Sequence, residues 1–269
     1  ERFNNPRRAP AHAPFDDPRF DGYQGGSFEG VRSALGYIKR LGAGAIWLSP
    51  VLKNLPFSPS YHGYGIHDFL HAEPRFATDP AKADDELRAL VDAAHAEGLY
   101  VIFDIVLNHT GDAFAYPGGA EAPFSASTLP VQWRDAAGAG RPDWPSVEAI
   151  AAPPRDALVW PKELQRDAFF RRQGGMPAPD DDTVGDFASL KQLRSDAAEL
   201  QNHLIRAYQY VVARFDVDGF RIDTLRYLKG GLALTFGNAI REYALSIGKK
   251  NFFTFGEVWT NDSEAAIAA

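Results

Sequence analysis

Three short apolar runs in this chain each end in polar side chains that could do chemistry. These side chains are Asn108 and His109 after residues 100–107, Asp223 after residues 217–222, and Glu257 after residues 252–256. Buried strands that end in acids, amides or histidine are typical of a barrel or parallel sheet with its chemistry at one rim. Two such acids, Asp223 and Glu257, are what the hydrolysis of a glycosidic bond requires.

Arg221 lies two residues before Asp223 on the same predicted strand. Side chains two positions apart on a strand share a face, so we expect the two to be neighbours. A guanidinium beside a carboxylate favours the ionised form and lowers the carboxyl pKa, which suits a nucleophile. The alternative is an ion pair with a purely structural role, and the pair alone does not separate these interpretations.

Glu257 is surrounded in sequence by aromatic and aliphatic side chains. They are Phe252, Phe253, Phe255, Val258 and Trp259. Apolar surroundings favour the protonated carboxyl, which a general acid needs near neutral pH. A buried glutamate that bonds to a neighbouring amide is the alternative.

Asn108 carries a carbonyl oxygen of the kind that calcium binds. Acidic residues that could add further oxygens are Asp180, Asp181, Asp182 and Asp186. For the first three, a solvated acidic run is the simpler interpretation. His109 is either a structural hydrogen-bond partner at a strand end or a group that binds a sugar hydroxyl.

Apolar periodicity predicts an alternation of helices and buried strands. The helices lie near residues 31–41, 87–94, 196–215 and 232–247, and the strands are 45–48, 100–107, 217–223 and 252–258. Apolar strands in this alternation favour parallel pairing and an α/β fold. We predict a loop at residues 1–30. We also predict a long connection at residues 51–78, and connections of that length are usually functional.

The alternation is interrupted between residues 110 and 190, where Pro, Gly, Ala and Asp dominate. We therefore predict a first barrel segment at 1–109, an inserted subdomain at 110–190, and a continuation of the barrel at 191–269. A complete eight-stranded β/α barrel takes about 250 residues without insertions, so this chain has no room for eight units.

Composition excludes several classes of function. The net charge is −7 and no basic run is present, so a nucleic-acid partner is not expected. No run of about 18 apolar residues occurs, so no membrane span is expected. The chain has no cysteine, which rules out disulfides and leaves the compartment open, extracellular or cytoplasmic.

Together these segments resemble the α-amylase family of retaining glycoside hydrolases. Residues 104–109 are similar to the family's DxVxNH motif, residues 219–223 to its GFRxD motif, and residues 256–259 to its general-acid motif. Residues 61–68 resemble the loop that supplies a sugar-stacking tyrosine, and residues 185–190 a motif near the family's calcium site. The order fits, and the segment 110–190 matches the place of the family's B domain.

The resemblance implies a TIM-type (β/α)8 barrel and a role for each candidate residue. Asp223 is expected to be the nucleophile, and Glu257 the acid that protonates the leaving oxygen and later activates water. The remaining expected roles are sugar stacking by Tyr64, hydroxyl binding by His109, support of Asp223 by Arg221, and calcium binding by Asn108 and Asp186. Calcium is thus a predicted cofactor.

Three departures from the family pattern stand out. Arg226 and Tyr227 replace the usual Lys-His pair after the nucleophile, and neither the third acid with its preceding histidine nor the family's first strand is found. We therefore expect a fragment that covers the family's strands two to five and has little or no hydrolase activity alone. Its exposed strand edges are expected to favour oligomers or aggregates.

The predicted substrate is a starch-like α-glucan or a maltooligosaccharide, cleaved at α-1,4 bonds with retention. The alternatives are a transglycosylase, a relative that acts on trehalose or sucrose, and a non-catalytic carbohydrate-binding homologue. Retention of both Asp223 and Glu257 favours an enzyme over the last of these.

Overall fold

The computed structural model describes residues 3, 25–58, 61–117, 122–177 and 184–258. Several residues singled out from the sequence lie outside these ranges. They are most of the predicted loop at 1–30, the acids Asp180, Asp181 and Asp182, and the ring of Trp259. Within the ranges, no helix is both long and apolar enough to cross a membrane.

The described residues form four α-helices and ten strands, most of which are short. The helices are α1 (Phe28–Arg40), α2 (Ala83–Ala96), α3 (Ala198–Phe215) and α4 (Leu232–Ser246). The strands are β1 (Ala45–Leu48), β2 (Leu52–Asn54), β3 (Ile66–Ala72), β4 (Tyr100–Val106), β5 (His109–Thr110), β6 (Phe114–Ala115), β7 (Gln132–Trp133), β8 (Lys191–Gln192), β9 (Gly219–Asp223) and β10 (Phe253–Gly256).

The central sheet has four parallel strands in the order β1-β4-β9-β10. Its strands and the four helices confirm the predicted alternation, with boundaries that differ by a few residues. Parallel strands bring their carboxyl ends to one edge, and the register places Asp104 beside Arg221 and Val106 beside Asp223. Within the described residues the sheet does not close on itself, and its outer strands β1 and β10 each pair on one side.

Local sequence explains where the helices begin and what they bury. The Ser27 hydroxyl accepts a hydrogen bond from the Gly30 N–H at 3.0 Å and so caps α1. Helix α3 buries one apolar face along its whole length. On that face the Tyr208 hydroxyl donates to the Val106 carbonyl at 2.8 Å and accepts from its N–H at 3.2 Å. Tyr208 therefore fixes the end of β4, two residues before Asn108.

The predicted connection at 51–78 contains an antiparallel pair, β2 and β3, that the sequence analysis missed. Strand β2 has only three residues, and β3 is buried on both faces over most of its length. Neither strand therefore shows the alternation of apolar and polar residues that reveals a half-buried strand.

The segment at 110–190 is mostly irregular and has its own cluster of aromatic rings. Phe114 contacts Trp133, Phe170 and Tyr116 with ring centroids 5.3 to 5.8 Å apart. Strands β5 and β8 pair antiparallel, so the segment leaves the central sheet and returns to it at one place. The predicted domain boundaries stay a prediction.

Aromatic side chains are exposed on the central sheet. Trp47 on β1 is 53% exposed and Phe253 on β10 is 58% exposed. Unpaired strand edges beside exposed apolar side chains are the features that favour association between chains. The expected oligomer or aggregate remains a prediction.

Candidate active site

The site is organised around the guanidinium of Arg221, which is buried at the carboxyl edge of the sheet. Its Nη1 lies 2.9 Å from Asp104 Oδ1 and 2.9 Å from Asp223 Oδ1, and its Nη2 lies 2.8 Å from Glu257 Oε1. Three carboxylates, from β4, from β9 and from the residue after β10, thus share one cation. The expected shared face of Arg221 and Asp223 is confirmed.

The backbone after β9 and β10 brings Glu257 to this cation. The Glu257 N–H donates to the Ile222 carbonyl at 2.9 Å, and its own carbonyl accepts from the Leu225 N–H at 3.0 Å. Any side chain at position 256 would collide with Leu225, so the glycine there permits the close approach. Glu257 is therefore held against the end of β9.

The residue after Asp223 has a left-handed backbone conformation. Thr224 has φ of 50°, a region that non-glycine residues rarely adopt and that is often found at functional sites. This turn directs the Thr224 N–H toward Glu257 Oε2, at 3.4 Å. A sharp turn at this point links the two acids through the backbone as well as through Arg221.

Asp104 and Trp47 complete the site, and the sequence analysis assigned a role to neither. Asp104 Oδ2 accepts from Trp47 Nε1 at 3.1 Å and from the Tyr64 hydroxyl at 3.0 Å. The Arg221 guanidinium also lies 5.3 Å from the centre of the Trp47 ring, within cation–π range. In the sequence, Asp104 stands out as the first residue of the motif at 104–109, but its contact with Arg221 depends on the strand register.

Glu257 has a charged partner instead of the apolar surroundings predicted from sequence. Its side chain is 38% exposed, and its carboxylate contacts Arg221. Of the neighbours that suggested an apolar pocket, Phe253 and Val258 are themselves exposed. Phe252 packs against Phe220 with ring centroids 5.1 Å apart, and Phe255 contacts the Trp47 ring at 5.7 Å.

The pKa of Asp223 is raised to about 6, which contradicts the sequence expectation of a lowered value. Burial is the largest cause, because it disfavours the charged form, and the charges of Glu257 and Asp104 add to it. Arg221 lowers the pKa of Asp223 as expected, but it does not outweigh burial. Burial also raises the pKa of Asp104 against the opposing effect of Arg221.

His109 is buried and uncharged at neutral pH. Burial, assisted by His62, lowers its pKa to about 4, against a hydrogen bond with the Tyr64 backbone. Its Nε2 has no hydrogen-bond partner among the described residues. A buried ring nitrogen without a protein partner is free to bind a ligand hydroxyl.

Tyr64 lies between His109 and the cluster of acids. Its ring stacks on His62 with centroids 5.5 Å apart, and its hydroxyl also contacts Arg221 at 3.3 Å. Burial and Asp104 raise the pKa of Tyr64, so the hydroxyl stays protonated and donates. The structure thus brings Tyr64, Arg221, Asp223 and Glu257 together.

Comparison with known proteins decides the family. A family model of the α-amylase catalytic domain matches residues 2–268. The chain belongs to this family. The predicted family and its barrel class are thereby confirmed, and the four-stranded parallel sheet is part of an α-amylase barrel.

Individual relatives agree with this assignment. The α-amylase of Streptomyces lividans is 32% identical over 92% of this chain and 29% of its own length, and the maltogenic α-amylase of Bacillus acidopullulyticus is 25% identical over 90% and 33%. The α-amylase of Geobacillus thermoleovorans, solved in complex with acarbose, is 27% identical with a TM-score of 0.66 over 98% of this chain and 45% of that one. The chain spans about a third of the length of the two curated relatives.

The α-amylase resemblance predicted a calcium site at Asn108 and Asp186, and both side chains already have protein donors. Asn108 Oδ1 accepts from Gln192 Nε2 at 3.4 Å, and Asp186 Oδ1 accepts from the Gln192 N–H at 3.0 Å. Asp186 Oδ2 accepts from the Tyr116 hydroxyl at 2.7 Å. No group of three or more acids or histidines in the described ranges converges to hold a metal. As they stand, these residues do not fit calcium, and the calcium prediction remains to be tested in solution.

Trp47 and Tyr64 each donate to the same oxygen of Asp104, which permits a test of this part of the site. We expect Trp47→Phe and Tyr64→Phe each to lower the free energy of unfolding by about 1–2 kcal/mol, because each removes one bond to a buried carboxylate. The double variant should cost more than the sum, since Oδ2 then loses both donors. Urea unfolding of the complete gene product measures this, with Trp144→Phe as the control. If the two single variants each lost almost no free energy of unfolding, and the double variant lost only their sum, the shared role at Asp104 would be contradicted.

Proposed function

We propose that the protein is a retaining glycoside hydrolase that cleaves α-glucosidic bonds, with α-1,4 bonds of starch-like glucans and maltooligosaccharides as its substrates. The observation that carries this proposal is the arrangement of Asp223 and Glu257 on adjacent nitrogens of one guanidinium. Family membership and the printed names of the relatives, α-amylase and maltogenic α-amylase, support the choice of glucan.

The two acids divide the chemistry between them. The Asp223 carboxylate attacks the anomeric carbon, and the bond to the leaving sugar oxygen breaks as Glu257 donates a proton to it. The product is a glycosyl ester on Asp223. Glu257, now ionised, takes a proton from water as the water oxygen attacks the anomeric carbon and releases Asp223. Two inversions give net retention.

Arg221 has two functions in this scheme. It offsets part of the repulsion among three carboxylates, and its charge and hydrogen bond oppose the protonation of buried Asp223. His109 is uncharged and its Nε2 has no hydrogen-bond partner among the described residues, which suits it to a sugar hydroxyl. The Tyr64 ring offers an apolar face to the sugar. Both substrate-binding roles are part of the proposal.

The raised pKa of Asp223 predicts the acid side of the pH profile. A carboxyl must be ionised to attack, so kcat/KM should fall as pH drops below about 6, where Asp223 takes up its proton. The profile is measured on the complete gene product with an aryl maltooligosaccharide. If kcat/KM instead fell only near pH 4, the effect of Arg221 on the pKa of Asp223 would outweigh the effect of burial.

Product analysis tests the proposal as a whole. The complete gene product is incubated with maltooligosaccharides, trehalose and sucrose, and the first-formed anomer is followed by proton NMR. We expect the α-anomer from maltooligosaccharides and no reaction of the other two sugars. Longer oligosaccharides as the main product would indicate transglycosylation. A β-anomer, or no turnover of any α-glucan, would contradict the proposal.

A further inference from the structure

A lysine ammonium is buried where the segment 110–190 meets the central sheet. The Lys191 side chain is 5% exposed, and its Nζ lies 3.3 Å from Asp112 Oδ1 and 3.5 Å from Asp186 Oδ2. The same Nζ lies 5.2 Å from the centre of the Phe114 ring and 5.3 Å from that of Tyr116. Two carboxylates and two aromatic faces thus surround one cation.

The charges at this junction are balanced without any added ion. Asp112 also contacts Arg134 Nη2 at 2.8 Å, so two carboxylates face one ammonium and one guanidinium. Buried carboxylates require such compensation, because an isolated buried charge is costly. A divalent cation at this place would leave an excess of positive charge.

Gln192 occupies the space between the two predicted calcium ligands. Its side-chain amide donates to Asn108, its backbone N–H donates to Asp186, and its Oε1 accepts from the Gly185 N–H at 2.7 Å. The oxygens that a metal would bind are therefore engaged by neutral donors on one side and by Lys191 on the other.

The junction also carries a residue of the active site. Strand β8 pairs with β5, and the register sets Lys191 opposite Thr110 and Gln192 opposite His109. A cation that binds Asp112 and Asp186 therefore holds the strand pair that contains His109.

We propose that the Lys191 ammonium is the structural cation of this junction, so that the segment 110–190 is attached to the central sheet without a divalent metal. The neutralisation of Asp112 and Asp186 by Lys191 is independent of the proposed reaction, so thermal unfolding and metal content test it without any measurement of activity.

The first test uses the unaltered complete gene product, purified in EDTA and then given millimolar calcium. We expect its unfolding midpoint to be the same in EDTA and in calcium, and the protein to contain no stoichiometric calcium by elemental analysis. An ion present at about a hundred times its Kd would instead raise the midpoint by roughly 5–10 °C. A shift of this size that EDTA reverses and that Asp186→Asn abolishes would overturn the proposal. A shift that persists in Asp186→Asn would come from calcium bound at another place.

The second test removes the ammonium. Lys191→Ala should lower the midpoint by roughly 10 °C, since it leaves buried Asp186 and partly buried Asp112 with one cation. Calcium should then restore part of the loss, because the variant has both a vacant space and unbalanced carboxylates. This gain of calcium dependence is a result that a lost packing contact alone would not give.

Lys82→Ala is the matched control, because Lys82 pairs with Asp79 at 3.7 Å and both side chains are exposed. We expect its midpoint to change by less than about 1 °C, with or without calcium. A Lys191→Ala variant as stable as this control would contradict the proposal. If Lys191→Ala does not fold, the metal measurement on the unaltered protein still decides.

Discussion

Replacement of Asp223 by alanine should lower kcat on maltooligosaccharides by roughly 10⁴-fold or more, because no other group can form the glycosyl ester. The reason lies in the position of Asp223, at the end of β9 and bonded to Arg221. Steady-state kinetics on the complete gene product measures the loss. Asp143→Ala, which alters an exposed acid paired with Arg141, is the control and should keep full activity.

Azide identifies what Asp223 does. In Asp223→Ala the small anion can enter the vacated space and attack the anomeric carbon directly, which inverts the configuration. We therefore expect a β-glycosyl azide from an activated α-maltosyl substrate such as the fluoride. An α-azide from this variant would contradict the role of nucleophile, and an undiminished kcat would show that Asp223 is an ion-pair partner only.

Glu257→Ala should lower kcat/KM on maltooligosaccharides by roughly 10²–10⁴-fold, which is the usual contribution of a positioned general acid. The loss should be far smaller in the first step with α-maltosyl fluoride, because fluoride leaves without a proton. Parallel kinetics with the two substrates measures this difference. Equal losses on both would mean that Glu257 acts by binding or by holding Arg221 and does not protonate the leaving group.

Azide gives the complementary result in this variant. Asp223 still forms the glycosyl ester, and azide replaces water in the second step, so the configuration is retained overall. The expected product is an α-glycosyl azide, the opposite anomer from that of Asp223→Ala. Two variants that gave the same anomer would show that the roles of the two acids have been assigned incorrectly.

Much of the central sheet could be predicted because it depends on local signals. Runs of apolar residues between helical segments identified β1, β4, β9 and β10, and parallel order placed their polar ends at one edge. The pair β2 and β3 was not predicted, because β2 has only three residues and is too short to show a periodic pattern. Its partner β3 is buried on both faces and contains His67, Asp68 and His71, so it shows neither an alternating nor a continuous apolar pattern.

The electrostatics of the site could be predicted only in part. The strand period alone placed Arg221 beside Asp223, and it gave the correct sign for the effect of that cation. Burial of Asp223 and the approach of Glu257 depend on how three strands pack, and together they raise the pKa of Asp223 instead of lowering it. Asp104 was missed for the same reason, because its contact with Arg221 requires the strand register.

The calcium prediction, which remains to be tested, depends on contacts that a motif does not show. Asn108 and Asp186 have the oxygens that calcium prefers, but a sequence does not show which donors already occupy them. The structure places Gln192 and Lys191 against these oxygens. From the sequence, Lys191, directly after the motif at 185–190, would be taken as a surface residue, and only the fold makes it an internal cation.

Trapping the glycosyl ester shows directly whether Asp223 is the nucleophile. The complete gene product is incubated with a fluorinated maltosyl fluoride whose ester is hydrolysed slowly, then digested and examined by peptide mass spectrometry. We expect one sugar on the peptide that contains Asp223, and no label after Asp223→Ala. A label on a different residue, or glucan turnover with no ester at all, would contradict it.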